Sequence, residues 1–157
     1  MKIELWFVGK TSKAYLKDGN AIFEKRIRRY INFKTHVIPD LKNTKTLRPA
    51  QIKHKEGEQI LSKINPSDFL VLLDERGKSF SSLEFSKFIN RQLQQTYPKI
   101  IFLIGGAFGF SEAIYQRANT KLSLSNLTFS HQMARLFFLE QLYRAFSILN
   151  NEPYHNE

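Results

Sequence analysis

Three stretches of this chain place backbone-exposing or polar residues where a ligand can be held. The first is Gly105-Gly106-Ala107-Phe108-Gly109, which follows the apolar run at residues 100–104 (IIFLI). Glycines at the carboxyl end of a strand let the main chain approach a ligand and offer N–H donors without side-chain clash. The spacing is G-G-x-x-G rather than the dinucleotide pattern, and an ordinary tight strand-to-helix turn explains it equally well. The second is Leu122, Ser123, Leu124, Ser125, Asn126 and Leu127, uncharged and rich in hydroxyl and amide groups. It can present backbone amides and carbonyls to an uncharged heterocycle such as adenine, or be a plain edge strand and turn. The third is the C-terminal region. His131 and Arg135 stand four residues apart, as do Glu140 and Arg144, and Tyr154-His155 lies near the end. Helical i,i+4 pairs form ion pairs of a few tenths of a kcal/mol and usually sit on a solvated face. A Tyr-His tail either frays or folds into a cleft, where it supplies a phenol and an imidazole.

Other chemistries lack their residues. Without cysteine there is no disulfide framework, thiol nucleophile or Cys-ligated metal. His36, His54, His131 and His155 have no ligand-like spacing, so no metal site is expected. Neither a G-x-S-x-G elbow nor a G-x-x-x-x-G-K-S/T phosphate loop occurs.

The elements that must position these groups alternate between strand and helix. Residues 2–8 read as a strand ended by Gly9. Helical spacing runs from about Asn20 to Ile31 through Phe23, Ile27, Tyr30 and Ile31. Residues 34–38 read as a short strand stopped by Pro39-Asp40, and residues 40–48 as a loop. Pro49 suits the first turn of a helix to about Ile64, with Gly57 a mild penalty inside it. The continuous apolar runs at residues 69–73 and 100–104 mark strands covered on both faces. Residues 74–78 (DERGK) are expected to form a loop. Ser81 and Glu84 form a capping box before a helix whose buried stripe is Phe85, Phe88, Ile89 and Leu93. Ser111 caps a short helix to about Ala118, residues 121–125 are a last strand, and a long helix runs from about Ser130 to Asn150. Five alternations with short connections predict a single α/β domain over residues 1–157, with a mostly parallel sheet.

The last helix is apolar around most of its circumference. Phe138, Leu142, Phe146 and Leu149 form one stripe, which Met133, Leu136, Phe137 and Leu139 widen. That width predicts a second subunit against it. The formal net charge of +10 suits a polyanionic partner, although a Lys-rich composition alone also produces it. No apolar run approaches the ~20 residues of a membrane span. Glu4 stands where a signal peptide needs apolar residues, so a soluble cytoplasmic protein is expected.

In their order and spacing these residues resemble the bacterial large-subunit ribosomal RNA methyltransferase H family, of the SPOUT class. The matching pieces are residues 2–9, Glu56-Gly57-Glu58, Leu73-Asp74 with Gly77-Lys78, Leu103-Ile104-Gly105-Gly106 with Gly109, and Leu122 to Leu127. The strongest is Thr128-Phe129-Ser130-His131 through Arg135, Glu140, Leu142-Tyr143-Arg144-Ala145 and Pro153-Tyr154-His155. Phe108 stands where relatives often carry a small or polar residue, Ser130 where a proline is common, and Asn156 where a basic residue often follows. The resemblance implies a SPOUT fold with a C-terminal trefoil knot, a homodimer, and S-adenosylmethionine as cofactor. The reaction it implies is methylation of N3 of a pseudouridine in helix 69 of 23S rRNA, on the assembled 70S ribosome, with no part for DNA or a membrane. Carried onto this chain, the cofactor site falls on Leu73, Gly105, Gly106, Leu122, Ser123, Leu124, Ser125, Asn126 and Leu127. His155, Tyr154 and Arg135 are the candidates at the reaction: His155 and Tyr154 as base or oxyanion stabiliser, able to reach the partner subunit's site, and Arg135, like Arg144, to hold phosphate or the nucleobase, with Arg144 and His131 toward RNA. The same residues also fit a SPOUT enzyme for another RNA, such as tRNA, or a noncatalytic basic RNA-binding protein.

Overall fold

The computed structural model describes residues 1–156. Its elements, in chain order, are β1 (Lys2–Val8), α1 (Ala14–Ile27), β2 (Asn32–Ile38), α2 (Pro49–Leu61) and β3 (Phe69–Ser79), then α3 (Ser82–Leu93), β4 (Lys99–Ile104), α4 (Glu112–Arg117), β5 (Thr120–Ser123) and α5 (His131–Leu149). The strands form one sheet in the order β2-β1-β4-β3-β5, and every pairing is parallel.

Alternation along each strand feeds two cores. Ile3, Leu5 and Phe7 of β1, Val71 of β3, and Ile100, Phe102 and Ile104 of β4 face one layer. Trp6, Val8, Leu70, Leu72, Ile101 and Leu103 face the other. The first layer holds α1, α3 and α5, with α5 packed against both others; the second holds α2 and α4. Both faces of the central strands are therefore covered, which is why their sequences are apolar without a break.

Local signals set the helix starts. The Ser81 hydroxyl accepts from Glu84 N at 3.1 Å, and the Glu84 carboxylate accepts from Ser81 N at 2.7 Å. Ser111 and Ser130 accept from Ile114 N and Met133 N. Helix α1 begins at Ala14, earlier than its apolar spacing suggests. Gly19 and Asn20 interrupt the stripe in sequence, yet Gly19 is where α5 packs: a Cβ there would lie 3.0 Å from Leu136 Cδ1.

Two sequence expectations change. Residues 74–78 are not a loop after a finished strand. β3 pairs with β5 through Leu73–Leu122, breaks register, and pairs again through Lys78–Leu122. Residues 74–77 are thus a bulge within one long strand. Gly77 permits it, since a Cβ there would lie 2.6 Å from Leu122 N and 2.7 Å from Lys121 C. The wide apolar surface of α5, in turn, is largely met within one chain. Phe138, Leu139, Leu142 and Phe146 are buried against the sheet and the flanking helices, while Phe137 stays 39 % exposed. The width of the stripe does not by itself require a second subunit.

Candidate functional site

At the carboxyl ends of β3, β4 and β5 the chain makes three corners around one open cavity of about 470 Å³. That is within the ~300–1,000 Å³ of small-molecule sites, at the edge where ligands of open α/β sheets bind. Leu73, Asp74, Glu75 and Arg76 of the β3 bulge form one wall. The β4 corner contributes Ile104, Gly105, Gly106, Ala107, Gly109 and Phe110. Beyond β5 come Leu124, Ser125, Leu127, Thr128, Phe129 and Ser130, closed by His131 and Ala134 of α5.

The β4 corner is a tight turn as well as a wall. Gly109 N donates to Gly106 O at 3.1 Å, and Gly109 sits at φ +81°, a conformation costly for other residues. A Cβ on Gly105 would press on the Phe110 ring at 3.2 Å. The corner after β5 is held by its own hydroxyls. Ser123 Oγ donates to Ser125 O at 3.0 Å, Ser125 Oγ accepts from Leu127 N at 3.0 Å, and Thr128 Oγ1 donates to Glu75 Oε2 at 3.3 Å across the opening.

The β3 wall carries the fixed charge. Asp74, its side chain 7 % exposed, accepts from the Tyr115 hydroxyl and from Arg76 N at 2.9 Å. The Arg76 guanidinium donates to Tyr115 Oη at 2.6 Å. Burial pushes Asp74 upward, but the Tyr115 hydroxyl, the Arg76 amide and the Arg76 and Lys121 charges outweigh it, so its carboxyl lies below the usual range. Burial and the bond to Asp74 push the Tyr115 phenol up. The wall therefore presents an ionised carboxylate held rigid on a phenol that keeps its proton.

The candidate residues of the sequence separate in space. Leu73, Gly105, Gly106, Leu124, Ser125, Leu127 and His131 line the cavity. Leu122 and Ser123 are buried in β5, and Asn126 is exposed outside the lining. Thr128, Phe129 and Ser130 line it too, although the family resemblance that includes them puts no site residue on them. Arg135 is 1 % exposed and off the cavity. Its guanidinium donates to Val8 O at 2.9 Å and Thr11 Oγ1 at 3.0 Å and lies 3.8 Å from the Phe7 ring centre, fastening α5 to the end of β1. Burial, opposed by Asp40, lowers its pKa to about 10.

Tyr154, His155 and Arg144 form a second group on the distal half of α5. Arg144 donates to Glu140 at 2.5 Å and to His155 Nδ1 at 3.0 Å. The Tyr154 hydroxyl donates to Glu140 at 2.9 Å while its ring packs edge-on to Tyr143. Burial and Glu140 raise the Tyr154 pKa. The tail is tied further back by the Tyr30 hydroxyl, which donates to Glu152 at 2.7 Å; burial and that carboxylate push Tyr30 up to about 12. A guanidinium has no lone pair to offer, so His155 Nδ1 accepts and the ring proton sits on Nε2. His131 and Arg144 are thirteen residues apart on one helix, about 20 Å along its axis.

A family model described as "Predicted SPOUT methyltransferase" matches residues 1–155. The chain belongs to the SPOUT methyltransferase family. Within it the chain is similar over its whole length to proteins named ribosomal RNA large subunit methyltransferase H. That of Christiangramia forsetii is 55% identical over 156 residues, 99% of both chains. That of Parabacteroides distasonis is 51% identical over 157 residues, the whole of both chains. Among solved structures, a probable methylase family protein of Haemophilus influenzae superposes with a TM-score of 0.51 at 13% identity, over 99% of this chain and 70% of that one; it speaks to the SPOUT fold alone.

Proposed function

We propose that this SPOUT protein is an S-adenosylmethionine-dependent methyltransferase of large-subunit ribosomal RNA, acting on N3 of a pseudouridine in helix 69 of 23S rRNA in the assembled ribosome. The observation that carries the reading is the cavity built by the three corners, in a chain half identical over its whole length to proteins of that name.

The residues present suit the cofactor. Leu73, Leu124 and Leu127 give apolar contact, the Gly105 and Gly106 main chain gives close approach, and Asp74 gives a fixed anion for a cationic ligand. S-adenosylmethionine supplies, when bound, a methyl group on a sulfonium centre. Transfer to a ring nitrogen needs little covalent help, so positioning dominates. N3 loses its proton to water as it gains the methyl. In the transition state, with the proton leaving and the methyl not yet bonded, negative charge lies on the neighbouring carbonyl oxygens, where a fixed N–H donor stabilises it.

We assign that role to His155, whose Nδ1 is held by Arg144 while Glu140 holds Arg144 and Tyr154. Arg144, which holds the tail, stands about 20 Å along α5 from His131 at the cavity mouth, and the tail group is assigned to the cavity of a second copy in a homodimer. Exposed Leu127 and Phe137, the latter stacked on Phe129 at 4.4 Å, give that copy an apolar place to sit beside the cavity. His131 at the mouth and Arg144 in the tail group face the RNA; Arg135 positions α5. The C-terminal half carries the family's trefoil knot, and the enzyme works in the cytoplasm, among ribosomes. Mass spectrometry of rRNA from a strain lacking the gene tests the reading. Loss of N3-methylpseudouridine from 23S rRNA supports it; loss of a methyl group from tRNA alone overturns the substrate.

A further inference from the structure

A second depression, open and of about 950 Å³, adjoins the cavity and shares Arg76, Gly109, Phe110 and Tyr115 with it as a common wall. Its charges come from separate elements: Lys53 of α2, Arg76 and Lys78 of β3, and Lys121 of β5, against the single acid Glu112. Tertiary structure, not a basic run in the sequence, gathers them. Arg76 and Lys121 lie over the Tyr115 ring at 5.3 and 5.5 Å, and Lys78 over Phe80 at 5.2 Å. None of Lys53, Lys78 and Lys121 forms an ion pair with a described residue. At the rim Phe108 is 48 % exposed, in a turn whose geometry needs only the glycines around it.

Unpaired cations beside an exposed ring are the pattern that tracks a single-stranded nucleic acid: the cations take phosphates and the ring stacks a base. We propose that this groove is a docking track for the RNA strand flanking the methylated nucleotide, with Lys53, Lys78 and Lys121 on its phosphates and Phe108 stacked on one base. The shared wall sets the geometry. A nucleotide held on Phe108 is next to one whose base enters the cavity. The proposal rests on the ribosomal RNA reading for the identity of the strand.

The test uses the full chain with two probes: a fluorescein-labelled oligouridylate of about twelve nucleotides, a length in the range one binding domain covers, and 70S ribosomes with radiolabelled S-adenosylmethionine. Charge reversal at Lys53, Lys78 and Lys121 together is expected to reduce the slope of log affinity against log salt by about 2, at about 0.7 per phosphate contact. Phe108→Ala is expected to weaken oligonucleotide binding by about five- to a hundred-fold, and Phe108→Trp to restore it. Affinity for S-adenosylmethionine by calorimetry stays as in the wild type for Phe108→Ala and for charge reversal at Lys53 and Lys78, and thermal unfolding shows that the triple variant folds. Unchanged RNA affinity and salt slope overturn the groove, as does an equal effect from reversing Lys87 on α3. Slower methylation of ribosomes with unchanged oligonucleotide binding assigns the groove to an acidic protein surface instead and overturns it too. A wild type that binds the oligonucleotide through the groove but methylates no rRNA leaves the groove standing and removes the enzyme reading.

Discussion

Replacing Gly77 by alanine tests how the β3 bulge builds the cavity. The new Cβ would meet Leu122 N at 2.6 Å, Lys121 C at 2.7 Å and Leu122 C at 2.9 Å, all main-chain atoms of β5. No flexible side-chain end is available to yield. To reach ordinary contact at 3.4 Å the bulge or β5 must retreat by about 0.8 Å, which a close-packed interior resists. Overpacking costs about 1–3 kcal/mol, and backbone against backbone belongs at the upper end. For a chain of 157 residues, about 3 kcal/mol lowers Tm by about 6–12 °C. The same shift separates two walls of the cavity, so affinity for S-adenosylmethionine falls along with stability. Gly109→Ala is the contrast: nothing lies within 4 Å of its Cβ, and only its φ of +81° resists, at about 1–2 kcal/mol. Thermal unfolding and calorimetry on both variants decide it. A Gly77→Ala protein as stable as the wild type, with unchanged cofactor affinity, would refute the reasoning.

Tyr115→Phe removes a donor that holds Asp74 ionised, so the Asp74 pKa rises. A carboxyl depressed by folding adds stability above its unfolded value near ~3.9 and loses it as pH falls through the depressed one. Urea unfolding across pH is therefore expected to show the variant less stable than the wild type near neutral pH, with the two curves converging as pH falls below the depressed Asp74 value; a difference that does not shrink in acid would contradict this. Arg135→Ala removes two charge-assisted hydrogen bonds and the packing on Phe7, and is expected to cost about 2–4 kcal/mol in chemical denaturation. A loss under about 1 kcal/mol would count against its fastening role. His155→Ala is expected to slow single-turnover methylation of 70S ribosomes about 100-fold with cofactor affinity intact; an unchanged rate removes His155 from the mechanism. Mixed dimers of His155→Ala with a Gly105→Trp subunit should restore close to half of the active sites if the tail serves the other copy, and none if it serves its own.

Strand and helix order was legible in the sequence because both sheet faces are covered, so residues 69–73 and 100–104 are apolar throughout. The Ser81 and Ser111 caps were legible because their partners lie three residues away. What could not be read depended on distant contacts. Asp74 to Lys78 look like a loop, and only the closeness of Gly77 to β5 makes them a bulge inside a strand. The early start of α1 hides behind Gly19, whose missing side chain makes room for Leu136. In the site, the glycine corner and part of the serine-rich stretch stood out as backbone-rich and uncharged. The Asp74–Tyr115–Arg76 group did not, because its members are brought together from two elements some forty residues apart. Arg135 looked like a reactive cation because sequence spacing does not reveal burial, and the structure puts it under Phe7 with its hydrogen bonds spent on the main chain and Thr11.

As proposed, the three-cornered cavity delivers a methyl group to ribosomal RNA. Incubating the purified chain with 70S ribosomes and methyl-labelled S-adenosylmethionine, then mapping the label by nuclease protection and mass spectrometry, tests it directly. Label is expected on N3 of one pseudouridine in helix 69 of 23S rRNA, and none with Gly105→Trp. Label confined to another RNA, or undiminished when Gly105 is replaced, contradicts it.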